Sequence, residues 1–227
     1  MDKDNQAFGR LLSLTAGQQK RLAAIRIVLR QQKALFNGEK VSHRIVSIDR
    51  PYIRPIVRGK ENKPVEFGAK CNNIQIDGIS FIEHLSFEAF NEGVRLKDCL
   101  KYQEELTGVK VEKIGADQIY GTNDNRRECT AKGIYTCFVR KGPRPKDEPE
   151  ESRTARRIIG NLRATIMEGS FGNQKQRYMG RIAARNKFSE ILQIFFGIHI
   201  ANAAILAGRQ MMAEEKSKKK ERKRNRA

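Results

Sequence analysis

Two acidic residues stand where their neighbours make them conspicuous. Glu168 lies in Met167-Glu168-Gly169-Ser170-Phe171-Gly172-Asn173-Gln174-Lys175-Gln176-Arg177-Tyr178, and Arg181, Arg185 and Lys187 continue the basic series. A lone carboxylate in so cationic a stretch is odd on a solvated face. It is natural where a metal must be held beside a phosphate backbone. Asp117 ends an apolar run in Gly115-Ala116-Asp117-Gln118-Ile119-Tyr120-Gly121. Together the two acids point to metal-dependent chemistry on DNA, with Mg²⁺ or Mn²⁺ as the cation, because hard cations prefer carboxylate oxygens. On a helix, Glu168 and Lys175 are about two turns apart and face the same groove. Each acid also has a plain reading: a lone Asp at a strand end is ordinarily a turn or cap residue, and a lone Glu on a helix is ordinarily solvated.

The bulk composition fits a polyanionic partner. The 227 residues carry 45 Lys and Arg against 26 Asp and Glu, a formal net charge of +19, and basic surfaces release counterions from nucleic acid. Ribosomal and membrane-surface proteins share such a balance. The four cysteines (Cys71, Cys99, Cys129, Cys137) form no CxxC pair, which argues against a zinc site and for ordinary thiols. Three histidines (His43, His84, His199) are a poor basis for a His-ligated metal or a Ser-His-Asp triad. No run of 18 or more apolar residues is evident, so no membrane span is expected. The polar N-terminus does not read as a secretory signal. A cytoplasmic location follows as the expectation.

The elements that must position these residues read as a mixed α/β chain. Helical spacing of Leu14, Gln18, Leu22, Ile25 and Leu29 predicts a helix over 14–36 with Thr15 as a possible cap. Arg44–Ile48 reads as a short strand. Pro51 and Pro55 make 50–60 extended, and Arg54, Arg58 and Lys60 there are equally a phosphate-contacting loop or a wet basic edge. Alternating apolar residues predict a hairpin over 65–89 turning at Asp77-Gly78, where Asp77 is structural. A helix follows over 90–107, then a strand over 109–114 ending at Asp117. A helix from Asn123 stops at Gly133, and a strand over 134–139 completes a crossover that implies a parallel pair in one mixed sheet. Prolines exclude regular structure over 140–152. A long helix from about Ser152 carries Glu168, the apolar helix 191–207 packs on the sheet, and the basic tail from Glu214 is disordered when free.

In their order along the chain, Arg44-Ile45-Val46-Ser47-Ile48, Arg54-Pro55-Ile56-Val57-Arg58-Gly59-Lys60, Val65-Glu66-Phe67-Gly68-Ala69-Lys70, Ala116-Asp117-Gln118-Ile119-Tyr120, Glu168-Gly169-Ser170-Phe171-Gly172 and Ile194-Phe195-Phe196-Gly197-Ile198-His199 carry a resemblance. The chain resembles the C-terminal part of bacterial insertion-sequence transposases of the DDE type, from about Leu14 to about Ala207. The resemblance implies a ribonuclease-H-like fold in which three carboxylates hold two divalent metals. Asp117 matches the second acid, Glu168 the third, and Lys175 the lysine of the motif. Asn161 and Ala164 stand where the family has a tyrosine and an arginine, and Arg163 is the substitute for that arginine. No counterpart of the first acid is found, since Asp2 and Asp4 lie in no apolar strand pattern.

The resemblance therefore implies an incomplete ribonuclease-H-like mixed sheet with flanking helices: an N-terminal helical segment (1–43), a catalytic domain without its first strand (44–210) and a basic tail (211–227). It implies cleavage and strand transfer at insertion-sequence ends with Mg²⁺ or Mn²⁺, catalysed by Asp117, Glu168 and Lys175. Arg54, Arg58, Lys60, Arg177, Arg181, Arg185 and Lys187 are the DNA-contact candidates. The chain alone is expected to be weakly active or inactive, and is expected as a homo-oligomer or a mixed oligomer with intact transposase. Two other functions compete: an inactive DNA-binding remnant, and a basic RNA-binding protein of the ribosomal kind.

Overall fold

The structure is a computed structural model that describes residues 14–57, 65–143, 148–180 and 182–224. The chain is mixed α/β and mainly helical, with three sheets of two strands each among the described residues. It divides into two compact units, Met1–Lys70 with Leu85–Phe90, and Cys71–His84 with Asn91–Ala227.

In the first unit, helix α1 (Ala16–Phe36) begins with a capping box. The Thr15 hydroxyl accepts from the Gln18 N–H at 3.4 Å and the Gln18 side chain accepts from the Thr15 N–H at 2.9 Å, so two otherwise orphaned donors are satisfied. Gln31 on this helix accepts from the Ile45 N–H at 2.9 Å and donates to the His43 carbonyl at 3.3 Å. That side chain takes the place of a partner strand, and the predicted strand Arg44–Ile48 is irregular chain instead. Strand β1 (Pro55–Val57) pairs antiparallel with β2 (Val65–Phe67), Ile56 opposite Glu66. The predicted hairpin therefore starts too early. Gly68 follows β2 with φ +120°, a region reserved for glycine, and separates it from the next strand.

The hairpin itself is β3 (Lys70–Ile76) and β4 (Ile79–Ser86). Asp77 (φ 47°) and Gly78 (φ 77°) both take the left-handed conformation of a tight primed turn, as the sequence pair predicts. In the second unit a 3₁₀ turn (Glu92–Arg95) leads into α2 (Leu96–Thr107), ended by left-handed Gly108. Strand β5 (Lys113–Ile114), helix α3 (Asn123–Ala131) and strand β6 (Tyr135–Thr136) form the crossover, and β5 and β6 pair in parallel. The parallel pair is as expected; the single mixed sheet is not. Both strands are two residues long, and the core beside them combines helical Leu96, Leu100 and Cys129 with Ile134 and Phe138 from the chain around β6, with Val111, Ile114, Ala116 and Tyr120 against them.

The helical run from 150 to 179 changes pitch along its length. It passes from α4 (Glu150–Leu162) through a π turn (Arg163–Met167) into α5 (Glu168–Asn173), then through a second π turn (Gln174–Met179) to Gly180. Before it, Glu148 is held by Arg140 at 2.6 Å and Arg156 at 2.8 Å, which ties the chain after β6 to α4. The last helix, α6 (Lys187–Arg224), runs straight through the segment predicted to be a disordered tail. Met, Ala, Glu, Lys and Arg are strong helix formers, and one cooperative helix extends through them without burial. By length and composition α6 is also apolar enough to cross a membrane, which corrects the expectation that no such segment exists: its most apolar window has mean hydropathy 1.8. Its polar anchors nonetheless fix it to the protein. Buried Asn202 accepts from the Ser80 N–H at 2.9 Å and donates to the Ser80 carbonyl at 2.7 Å.

Candidate active site

Asp117 follows β5 and caps a 3₁₀ turn (Gln118–Tyr120), its Oδ1 accepting from the Gln118 N–H at 2.6 Å. The plain role weighed for this residue is thus real. It does not exhaust the side chain, which is 72 % exposed and faces the long helix. Gly115 makes the approach possible. A Cβ there would meet Ile159 Cγ2 at 3.3 Å and the Arg163 Cβ at 3.5 Å, so the strand end and helix α4 touch through the missing side chain.

The two predicted acids converge on one guanidinium. Arg163 Nη1 lies 3.1 Å from Glu168 Oε1 and 4.0 Å from Asp117 Oδ1. The π turn accounts for the first contact. Residues five apart on an α-helix point about 140° away from each other. Over Arg163–Met167 the helix widens, the Glu168 N–H bonds to the Arg163 carbonyl, and the two side chains are brought into line. The pair Asp117–Glu168 thus comes from a loop and a helix and meets at one guanidinium, with both carboxylates open to solvent.

Behind Glu168 the helix is pinned by two amides, one buried and one half-buried. Gln174 donates to Ser80 Oγ at 2.7 Å, and Gln75 donates to Ser170 Oγ at 2.8 Å. Gly197 lets α6 pass directly over the second π turn, where a Cβ would meet Met179 Cγ at 2.7 Å and the Tyr178 carbonyl at 3.1 Å. Hairpin, catalytic-helix candidate and α6 therefore form one support, and none of Ser80, Gln174, Asn202 or Gly197 was singled out from sequence as doing so. The available signals were Ser80 and Asn202, polar residues inside the apolar stretches 79–82 and 200–205.

Lys175 is exposed in the second π turn and makes no ion pair with either acid. Its charge falls instead on Cys71, whose thiol burial pushes up to about 12, with Glu83 adding and Lys175 opposing. Arg177, Arg185 and Lys187 are exposed and close in sequence, before and at the start of α6. Arg54 sits in the first unit, half-buried, at 3.2 Å from Glu88 and donating to the carbonyls of Pro51 and Ile53. Those bonds make it a local strut. Arg58, Lys60 and Arg181 lie outside the described residues.

The donor chemistry of Asp117 and Glu168 suits one hard divalent cation. For a pair of metals the set is short: among the described residues no three His, Cys, Asp or Glu side chains gather. A second polar cluster lies nearby in the same unit. Glu83, almost fully buried, takes two bonds from Arg95 (2.9 and 2.5 Å) and one from Asn72 at 2.8 Å. Burial alone would raise its pKa, yet those bonds and the Arg95 charge hold it below the usual carboxylate range. Asn72 also accepts from the Tyr120 hydroxyl at 2.5 Å, and burial keeps that phenol protonated. Every group here is paired, which is the character of a structural network.

No protein-family model matches this chain, and no curated protein or solved structure shows significant similarity to it.

Proposed function

We propose that this chain acts on DNA as the catalytic part of a DDE transposase, with a ribonuclease-H-like arrangement around β5, β6 and the long helix. The observation that supports this reading is the meeting of Asp117 and Glu168 at Arg163. Residues 51 positions apart, both singled out by their surroundings in the sequence, each lie within 4.0 Å of one guanidinium nitrogen.

Mg²⁺ or Mn²⁺ held by Asp117 and Glu168 would polarise the phosphodiester under attack and offset charge on the leaving oxygen. The remaining work belongs to the chain's cations. Lys175 and Arg177, on the same helical run, take phosphates of the DNA and fix its register, and Arg181, Arg185 and Lys187 extend that contact. Arg58 and Lys60 are the second phosphate-binding candidate, while Arg54 of the same sequence group is committed to Glu88 and its neighbouring carbonyls. The partners are transposon ends and target DNA, bound by a homo-oligomer or a mixed oligomer in the bacterial cytoplasm on the nucleoid.

The two-acid ligand set favours one further reading: an inactive DNA-binding protein that joins intact transposase in mixed oligomers. Nicking and joining of end DNA with Mg²⁺ separates the two. The purified chain is expected to be weak or silent alone, and to contribute to activity when intact transposase supplies the first acid. If Asp117→Asn and Glu168→Gln leave activity unchanged in that mixture, the catalytic reading fails. If DNA binding is indifferent to Lys175→Ala with Arg177→Ala, both readings fail.

A further inference from the structure

The feature that the proposed function leaves unused is Arg163 itself. Its guanidinium stands between the two acids, 3.1 Å from one and 4.0 Å from the other. It is also the least exposed of the three side chains, 26 % against 60 % and 72 %. Its stem is packed where Gly115 admits the helix, and the π turn aims its head at Glu168. An arginine cannot yield the site by losing its proton, because it remains charged at any working pH. It can only move.

The geometry points to Arg163 as a resident counter-ion that holds Asp117 and Glu168 together in the metal-free protein and must swing away before a divalent cation binds. This rests on the reading of the two acids as metal ligands and adds a gate to it. While Arg163 is in place the two carboxylates present a reduced net charge and a filled centre. When it leaves, the full charge of both faces the incoming cation. Phosphates of bound DNA are the natural new partner for the guanidinium, since its fork fits a phosphate as well as a carboxylate. DNA and metal would then bind with positive coupling, each favouring the state with Arg163 withdrawn.

The test is Mn²⁺ binding to the full chain, read by electron paramagnetic resonance of the free ion, without any activity assay. Arg163→Gln and Arg163→Met are compared with the unaltered protein, each checked for fold by circular dichroism and thermal midpoint. Removing the positive charge that Mn²⁺ must otherwise displace is expected to tighten Mn²⁺ binding about thirtyfold, the equivalent of the roughly 2 kcal/mol by which a unit charge and a dication about 4 Å apart repel in water. The gain is expected to vanish in Arg163→Gln combined with Asp117→Asn or Glu168→Gln. A short duplex is expected to tighten Mn²⁺ binding to the unaltered protein and to do little for Arg163→Met. Equal affinity in the unaltered and Arg163 proteins, with loss on Asp117→Asn, would overturn the gate and keep the acids as ligands. No binding in any variant would overturn both.

Discussion

Replacing Asn202 with alanine isolates the contact on which the supporting core depends. Asn202 is 6 % exposed and Ser80 is fully buried, and the two are joined by a reciprocal pair of bonds at 2.9 and 2.7 Å. Alanine leaves both the N–H and the carbonyl of Ser80 inside the protein with that partner gone. An orphaned buried polar group costs about 1–3 kcal/mol, so two of them amount to roughly 2–6 kcal/mol. Partial repair by water entering the space left by the amide brings the expectation to about 3 kcal/mol. For a chain of this size each kcal/mol moves the thermal midpoint by about 2–4 °C, giving a fall of about 6–12 °C. Urea unfolding by circular dichroism gives the free energy directly, with unchanged m as the check that the folded state is the same. Asn202→Asp keeps the acceptor for the N–H and turns a carboxylate toward the carbonyl, so it is expected to be at least as damaging. A loss below about 1 kcal/mol for Asn202→Ala would refute the reasoning, because a solvated amide pair contributes no more than that.

Three further outcomes are expected. Gly93→Ala places a Cβ 2.5 Å from the Ile119 carbonyl, backbone against side chain, and is expected to destabilise by about 1–3 kcal/mol in denaturant unfolding. Glu83 has a folded pKa below its unfolded value, so its contribution is complete above about pH 4.3 and is lost as pH falls through the folded pKa. Glu83→Gln is expected to lower stability at pH 7 by about 2–3 kcal/mol, the low side for a buried pair because Arg95 reaches solvent, and to flatten the acid limb of a stability–pH curve. The four thiols are free, and burial raises Cys71 to about 12 and Cys99 to about 11; maleimide labelling of the folded protein at pH 7 is expected to be slow at both and fast only after unfolding.

Local chemistry carried far in the sequence, and long-range pairing did not. The Thr15 cap, the Asp77-Gly78 turn and the stop at Gly133 were legible because each is fixed by a few neighbouring residues, and the one long-range pair that was legible, β5 with β6, followed from the helix between them. The strand expected at Arg44–Ile48 was not formed, because the group that claims the Ile45 N–H is a glutamine 14 positions away. A one-sheet fold was expected because strand patterns do not say which strands meet, and among the described residues they meet only in pairs. Asp117 and Glu168 were singled out by their surroundings, but their common contact was hidden. Arg163 is five residues before Glu168, a spacing that an ordinary helix sends to another face. Nothing in Arg163-Ala164-Thr165-Ile166-Met167 announces the wider turn.

The two π turns make the segment around Glu168 a helix with slack. Each turn stores one more residue than regular winding would use, with six residues of ordinary helix between them. If such a surplus travels along the axis, everything it passes rotates by about 100° without any hydrogen bond being lost for long. Deleting one residue from the first turn would remove its slack, direct Glu168 away from Asp117, and leave a protein that folds but has its two carboxylates permanently apart.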